Sequence, residues 1–177
     1  MKNRTTKLAI AAVCLALTIV LPFITGEIPA IGQMLCPMHI PVFLCGMICG
    51  PLYGLVVGLI APLLRSVLVG MPALYPSALA MSCELATYGV LSGIMIKVLP
   101  RKNVYLYVNL LVSMFTGRIV WGVMRYLLAS IVKTDFTWEL FVAGGFTNTI
   151  PGVIIQLILI PAIVMSVRKS FPELINN

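Results

Sequence analysis

Apolar residues form long runs along this chain, and short stretches with glycine, proline or charged residues separate them. A helix that crosses the hydrocarbon core of a membrane needs about 20 mostly apolar residues, and most of these runs approach that length. We therefore expect an all-α integral membrane protein, a six-transmembrane-helix bundle in a single membrane domain over residues 1–177. The expected spans are approximately 8–25, 37–50, 52–70, 77–99, 104–131 and 145–167.

The breaks between the runs define the connections. The second run is short and ends at Gly50-Pro51, where a helix stops and the next one begins. Three loops, at about 26–38, 70–76 and 132–144, are expected on the outer side of the bundle. The first run follows a basic segment, but no clear small-residue cleavage pattern follows it, so we interpret it as a span and not as a signal peptide.

The composition supports a membrane-embedded protein and argues against several classes of function. Hydrophobic residues make up 60% of the chain and charged residues 10%, with a mean hydropathy of +1.08, whereas soluble domains carry roughly 25% charged residues. This composition leaves no room for a separate nucleotide-binding or catalytic domain. The formal charge of +7 is better explained by cytoplasmic loops than by binding to nucleic acid, and we expect no nucleic-acid partner.

The placement of lysine and arginine predicts the orientation, because cytoplasmic loops are enriched in these residues. With six spans and a cytoplasmic N-terminus, eight basic residues fall on the inner side and both termini are cytoplasmic. Lys133 and the acidic residues Glu27, Asp135 and Glu139 then lie outside. The inner residues are Lys2, Arg4, Lys7, Lys97, Arg101, Lys102, Arg168 and Lys169. We expect a multi-pass membrane protein.

Residues typical of catalysis or metal binding do not form a recognisable set. The five cysteines are an odd number in apolar surroundings, which does not describe a disulfide framework. Cys45 and Cys49 have a possible metal spacing, but membrane packing is the simpler interpretation. No nucleophile, zinc or phosphate-binding motif is present. We expect no metal, no cofactor and no enzymatic activity.

Several polar residues lie inside the predicted spans, where a charge costs at least about 2.5–3.5 kcal/mol and therefore faces a cavity or a partner. Arg118, Trp121 and Arg125 share one face of the fifth helix by their spacing. From a rise of 1.5 Å per residue, Arg125 and Glu84 each lie about 10 Å below the outer surface. The set that can converge in the outer half is Arg118, Arg125, Trp121, Glu84, Asn148, Tyr88, Arg65 and His39.

The signs of these charges predict an anionic ligand. Glu84 neutralises one arginine, either Arg118 or Arg125, and two positive charges remain. An uncompensated buried charge is expensive, so a water-accessible pocket that receives a carboxylate is the simplest resolution. Trp121 and Tyr88 are expected as its apolar walls, and Asn148, Gln156 and Glu84 as partners for hydroxyl or amide groups. Two alternatives stay open: Arg65 extends to the outer headgroups, and His39 is only a helix-start residue.

Small residues recur at spacings that allow helices to approach closely. Gly46, Gly50, Gly54 and Gly58 follow one another every four residues, and internal packing is the favoured interpretation. In the first span, Ala12 and Ala16 form an AxxxA pattern and Ala9 lies on nearly the same face. That face serves either internal packing or docking to another membrane protein.

Several segments together resemble one known family. They are the AxxxA pattern, HIPVFLCGMICGPLYGLVVGLIAPLLRSVLVGMPALYP (39–76), ELATYGVLSG (84–93), GRIVWG (117–122) and FTNTIPGVIIQLILIPAI (146–163). Over nearly the whole chain they are similar to the substrate-binding S components of energy-coupling factor (ECF) vitamin transporters. GMPALYP together with ELATYG resembles the pantothenate-type subgroup.

The resemblance implies an S component that captures a water-soluble vitamin at the outer face. Such a subunit delivers the vitamin inward together with a transmembrane coupling subunit and two cytoplasmic ATPases, and it is thought to topple in the membrane. It also implies that Ala12 and Ala16, with Ala9 beside them, form the docking face for the coupling subunit. Pantothenate is a monocarboxylate with hydroxyl and amide groups, which agrees with the expected anionic ligand.

Three other interpretations remain at this level. The ligand of the same family could be pyridoxine or another vitamin, although neutral pyridoxine leaves the surplus charge unexplained. An intramembrane enzyme or assembly factor could act on a lipid phosphate, with Glu84 as its base. A self-contained transporter or channel is the third possibility, and the lack of broken-helix inverted repeats counts against it.

Overall fold

The computed structural model describes residues 2–24 and 34–171, and these form helices and short connections without any strand. Short helical turns connect the longer elements at Leu74–Ala78 and Thr147–Thr149. The helices are α1 (Lys2–Ile24), α2 (His39–Cys49), α3 (Pro51–Val69), α4 (Leu79–Val98), α5 (Asn103–Val132), α6 (Trp138–Gly145) and α7 (Ile150–Ser170).

Six of these helices lie at the positions predicted from the apolar runs, with ends that differ by a few residues. The break between α2 and α3 is confirmed: Gly50 has a φ of 109°, which ends α2, and Pro51 begins α3. A positive φ of this size favours glycine, and proline suits the first turn of a helix because its missing N–H has no partner there.

Five helical stretches are long and apolar enough to cross a membrane, and α2, with 11 residues, is shorter than the others. One stretch includes the turn that precedes α4, and another includes α6 and the turn that precedes α7. They are Arg4–Phe23, Pro51–Val69, Leu74–Val98, Asn103–Val132 and Trp138–Ser170.

The expectation of a loop at 132–144 was wrong, because α6 occupies much of this segment. Thr137 caps its start by accepting a hydrogen bond from the Leu140 backbone N–H at 3.4 Å. Glu139 lies in the first turn, where a negative charge favours the helix. The predicted loop at 26–38 falls largely outside the described residues, and so does Glu27.

Helix α4 lies at the centre of the bundle and packs against α2, α3 and α5. All 11 residues of α2 are buried. Helix α1 is peripheral: its buried positions include Ala11, Cys14 and Thr18, whereas Ala9, Ala12 and Ala16 are exposed on other sides of the helix. Cys14, Cys45 and Cys49 belong to the apolar core, as the packing interpretation requires.

Glycines allow α3 and α4 to touch through their backbones. A Cβ placed on Gly54 would lie 2.6 Å from the Gly89 carbonyl oxygen, and one on Gly58 would overlap the Leu85 carbonyl. Gly46 of α2 approaches Gly89 in the same way. Internal packing is therefore the role of Gly46, Gly54 and Gly58, while Gly50 instead forms the break described above.

Replacing Gly54 with alanine is expected to lower stability by about 1–3 kcal/mol, because backbone atoms must move to make room for the methyl group. Thermal unfolding in detergent measures this as a lower transition temperature. Gly145→Ala is the matched control, since its nearest neighbour would be Trp121 at an ordinary 3.7 Å. Equal stability of the two variants would contradict the close-packed interface.

The bundle has two different ends. At one end, which we call the basic end, the α4–α5 connection meets the end of α7, and Arg168 Nη1 donates a hydrogen bond to the Arg101 carbonyl at 3.5 Å. At the other end, which we call the cavity end, α3 and α5 finish and α4 begins. The Tyr75 hydroxyl donates a hydrogen bond there to the Leu128 carbonyl and fastens the turn before α4 to α5.

Candidate functional site

A cavity of about 500 Å³ opens at the cavity end of the bundle. Its size falls within the range of about 300–1,000 Å³ that is usual for small-molecule pockets. Its walls are formed by the start of α2, the end of α3, the start of α4, the C-terminal half of α5 and one face of α6. Seven of the eight residues proposed from the sequence line it, namely His39, Arg65, Glu84, Arg118, Trp121, Arg125 and Asn148.

Glu84 is buried at the base of this cavity and has three neighbours on the same carboxylate oxygen, Oε1. Arg118 Nη1 lies 2.8 Å away and forms an ion pair, the Tyr88 hydroxyl donates at 2.6 Å, and His39 Nε2 lies 3.6 Å away. Of the two arginines left open by the sequence, the structure thus pairs Arg118 with Glu84.

A second contact holds the Arg118 guanidinium in place. Its Nη2 lies 3.6 Å from Cys36 Sγ, in the connection before α2. Burial raises the pKa of the Cys36 thiol, so this group stays neutral and adds no negative charge. The charge of Arg118 is therefore balanced by Glu84.

Tyr88 does not line the cavity, which corrects the expectation that its ring forms a wall. The side chain is fully buried beneath Glu84, and its ring stacks on Phe43 with centroids 4.8 Å apart. It positions the carboxylate from below. Gln156 also does not line this cavity, and its Nε2 donates to the Cys36 carbonyl at 3.4 Å.

Arg125 also lines the cavity, seven residues after Arg118 on α5. Its Nη1 donates to Ser77 Oγ at 3.4 Å, and its guanidinium lies near the rings of Trp121 and Phe136, at 5.9 and 5.6 Å from their centroids. The Nε atom is buried without a hydrogen-bond partner. Within the described part of the chain, no carboxylate pairs with Arg125.

His39 lies both at the start of a helix and at the cavity. It is the first residue of α2, and its buried ring also lines the cavity. Neither ring nitrogen has a hydrogen-bond partner among the described residues. Because unpaired buried polar groups are costly, such a ring is suited to hydrogen-bond a molecule in the cavity.

Arg65 is a buried residue of the cavity wall, and Asn148 lies at the rim. Arg65 Nη1 donates to the Ile19 carbonyl at 2.7 Å, and its guanidinium lies 5.3 Å from the ring centroid of Phe23. These contacts fasten the end of α3 to α1. Asn148 is exposed on the turn Thr147–Thr149 and borders the cavity.

Aromatic side chains fix α6 over the cavity. The ring of Phe141 rests on Gly122 of α5, where any Cβ would overlap it. In the opposite direction, the ring of Trp121 lies beneath Gly144, whose added Cβ would be 2.9 Å from it. Trp121 is therefore a side wall that supports α6, with Phe136 at 6.0 Å between centroids.

Ser77, Phe136 and Cys36 belong to the site but were not among the residues proposed from the sequence. Ser77 and Phe136 contact Arg125, and Cys36 contacts Arg118. Cys36 and Phe136 lie in predicted loops, and Ser77 is the first residue of a predicted span. Their sequence neighbourhood carries no periodic signal. The position of the predicted outer loops above the bundle was the one available indication.

Comparison with known families gives one match. The family model described as "ECF transporter, substrate-specific component" matches residues 6–164. No curated protein and no solved structure matches the chain.

Proposed function

The chain belongs to the family of ECF transporter substrate-specific components, and from this membership we propose that its cavity binds a water-soluble carboxylate vitamin, with pantothenate as the first candidate. Members of this family are substrate-binding subunits of transporters and not enzymes. They bind a small molecule and work with transmembrane and ATPase subunits. Family membership and the apolar helices also make the chain a multi-pass membrane protein.

Arg125 is the observation that carries the proposal of an anionic ligand. It is a guanidinium on the cavity wall, with a buried Nε that lacks a partner and with no acidic neighbour among the described residues. A guanidinium offers a planar fork that matches a carboxylate in two hydrogen bonds. A bound carboxylate would therefore be the negatively charged partner that Arg125 lacks among the described residues.

The wall that His39 forms favours a ligand with hydroxyl or amide groups. Nδ1 of the His39 ring lacks a hydrogen-bond partner among the described residues, whereas Nε2 faces Glu84 Oε1 at 3.6 Å, so Nδ1 is the ring atom open to a hydroxyl or amide group. Pantothenate carries a carboxylate at one end and hydroxyl and amide groups along the rest of the molecule, so it suits both walls. Residues of GMPALYP and ELATYG, the segments of the pantothenate-type resemblance, lie at the cavity, among them Met71, Pro72 and Glu84.

We place the cavity end at the outer face of the membrane. The basic end carries Lys97, Arg101, Lys102, Arg168 and Lys169, and lysine and arginine accumulate on the cytoplasmic side. In this orientation the chain passes through the bacterial cytoplasmic membrane six times, the second time through the short α2, and both termini are cytoplasmic. The subunit would receive the vitamin from outside and release it inward in complex with a coupling subunit and two ATPases.

Binding by the purified chain in detergent tests the proposed ligand. Isothermal titration with pantothenate, its alcohol analogue pantothenol and neutral pyridoxine is the direct measurement. Tight binding of pantothenate and weaker binding of the two neutral compounds are expected. Preference for pyridoxine, or an equal affinity for pantothenate and pantothenol, would overturn the carboxylate assignment. Mass spectrometry of small molecules that copurify with the chain would identify a different vitamin.

The exposed alanines of α1 are the proposed docking face for the coupling subunit. Replacing Ala12 or Ala16 with tryptophan should abolish copurification with a coexpressed module of coupling subunit and ATPases, because a large side chain prevents close helix approach. Pantothenate binding by the solitary chain should remain unchanged. Ala162→Trp, at an exposed alanine of α7, is the matched control. Normal assembly of both α1 variants would place the docking face elsewhere.

A further inference from the structure

A second cavity, of about 490 Å³, lies between α5 and α7 on the side of the bundle. We call it the lateral crevice and define it by Leu111, Met114 and Phe115 of α5 and by Ile150, Val153 and Ile154 of α7. Its volume is nearly that of the first cavity. The proposed vitamin site does not use it.

The lateral crevice leads from the lipid-facing surface to the core. At its mouth the side chains of Phe115 and Ile154 are 59% and 53% exposed. At its back, Met114 is 7% exposed and Tyr88 only 1%. In a multi-pass membrane protein, apolar side chains at such a mouth face the acyl chains of the bilayer, so these chains have direct access.

The two cavities differ in what they require from an occupant. Among the described residues, the buried side-chain nitrogens and oxygens without a hydrogen-bond partner belong to His39 and Arg125, and both line the first cavity. The buried polar side chains that border the lateral crevice already have partners within the protein. Tyr88 donates to Glu84, Arg118 pairs with Glu84, and Gln156 donates to the Cys36 carbonyl.

An apolar occupant is therefore favoured in the lateral crevice. Water there would find few unpaired groups to bond, and buried water is stable only with about two to four polar partners. If the crevice were empty, the side chains that line it would lose van der Waals contacts on that side. Packing contacts of this kind, and not hydrophobic transfer, drive association inside a bilayer.

We propose that the lateral crevice binds one acyl chain of a membrane phospholipid. Arg118 and Thr149 line both cavities, so they form the partition between the acyl chain and the vitamin site. The bound acyl chain would cover the lateral approach to the Arg118–Glu84 ion pair. Without water on that side, the electrostatic attraction within the pair is stronger.

Photo-crosslinking tests the proposal without any substitution. The chain is reconstituted in phosphatidylethanolamine–phosphatidylglycerol vesicles that contain a phosphatidylcholine with a diazirine in the middle of one acyl chain. After irradiation, adducts are mapped by mass spectrometry. Adducts on Met114 or Val153 are expected, whereas Leu110, which is fully buried and does not line the crevice, should stay unmodified. Adducts confined to exposed residues such as Ile158 would overturn the proposal.

The second part of the experiment uses two variants whose larger side chains fill the lateral crevice, Val153→Phe and Ile154→Trp. In whichever variant is monodisperse, labelling at Met114 should be largely lost while labelling at Ile158 persists. Undiminished labelling at Met114 in a folded variant would contradict the assignment. Because no vitamin is present, a failure of pantothenate to bind leaves this result intact. If saturating pantothenate removes the Met114 adduct, the crevice belongs to the vitamin site and the proposal is wrong.

Discussion

Replacing Arg125 with alanine is expected to weaken pantothenate binding by about 30-fold or more. Loss of one member of a desolvated charge pair costs about 2–5 kcal/mol, and each 1.4 kcal/mol corresponds to a factor of ten in affinity. The lower end of this range applies because Arg125 is only partly buried. Isothermal titration of the purified variant in detergent measures the change.

The ligand analogue makes this prediction specific for charge. Pantothenol lacks the carboxylate, so Arg125→Ala should reduce its affinity far less than that of pantothenate. Arg101→Ala is the matched protein control, because it removes an arginine at the opposite end of the bundle. If both ligands lose affinity equally, Arg125 supports the shape of the cavity and does not bind an anion.

Replacing Arg118 with alanine is expected to destabilise the protein by about 3–5 kcal/mol, the usual cost of leaving one member of a buried ion pair without its partner. Glu84 is 1% exposed, and Arg118 is its cationic partner at 2.8 Å. The Tyr88 hydroxyl alone would remain at hydrogen-bond distance from the carboxylate. A lower yield of folded protein and an earlier thermal transition in detergent are the expected measurements.

Removing both charges separates this effect from a simple loss of packing. The double variant Arg118→Met with Glu84→Gln should recover much of the lost stability, because no charge is then buried alone. Arg125→Ala should leave the transition temperature close to that of the parent, since no described carboxylate depends on Arg125. A double variant as unstable as Arg118→Ala would show that the guanidinium acts through its shape and not through its charge.

The helices of this fold could be predicted from the sequence because membrane spans leave a strong signal. Long apolar runs gave six helix positions, and Gly50-Pro51 gave the one sharp break. Helical spacing also placed Arg118, Trp121 and Arg125 on one face, and the structure brings all three to the same cavity. These predictions depend on local periodicity alone.

Distances between helices were not accessible in the same way. Arg118 and Arg125 lie seven residues apart, about 10 Å along the helix axis, and Glu84 can reach only the one at its own level. That level depends on the register between α4 and α5, which sequence spacing does not contain. The expectation for Tyr88 failed for a related reason. Tyr88 lies one helical turn from Glu84, and that turn is already below the floor of the cavity.

Helix α6 shows a different limit of sequence reading. Its eight residues are too few to form a clear periodic pattern, and they lie in a segment between two long apolar runs that was expected to be a loop. The helix is stabilised where Phe141 fits Gly122 and Gly144 fits Trp121. Such complementary pairs, distant in sequence, become visible only when the chain is folded.

The complete burial of α2 has a consequence for how the protein responds to its membrane. With 11 residues, this helix is about 16 Å long, roughly half of a hydrocarbon core of about 30 Å. Hydrophobic mismatch acts through surfaces that touch lipid, and α2 presents none among its described residues. Changes in bilayer thickness therefore tilt or strain the outer helices, while His39, at the start of α2, keeps its position relative to Glu84.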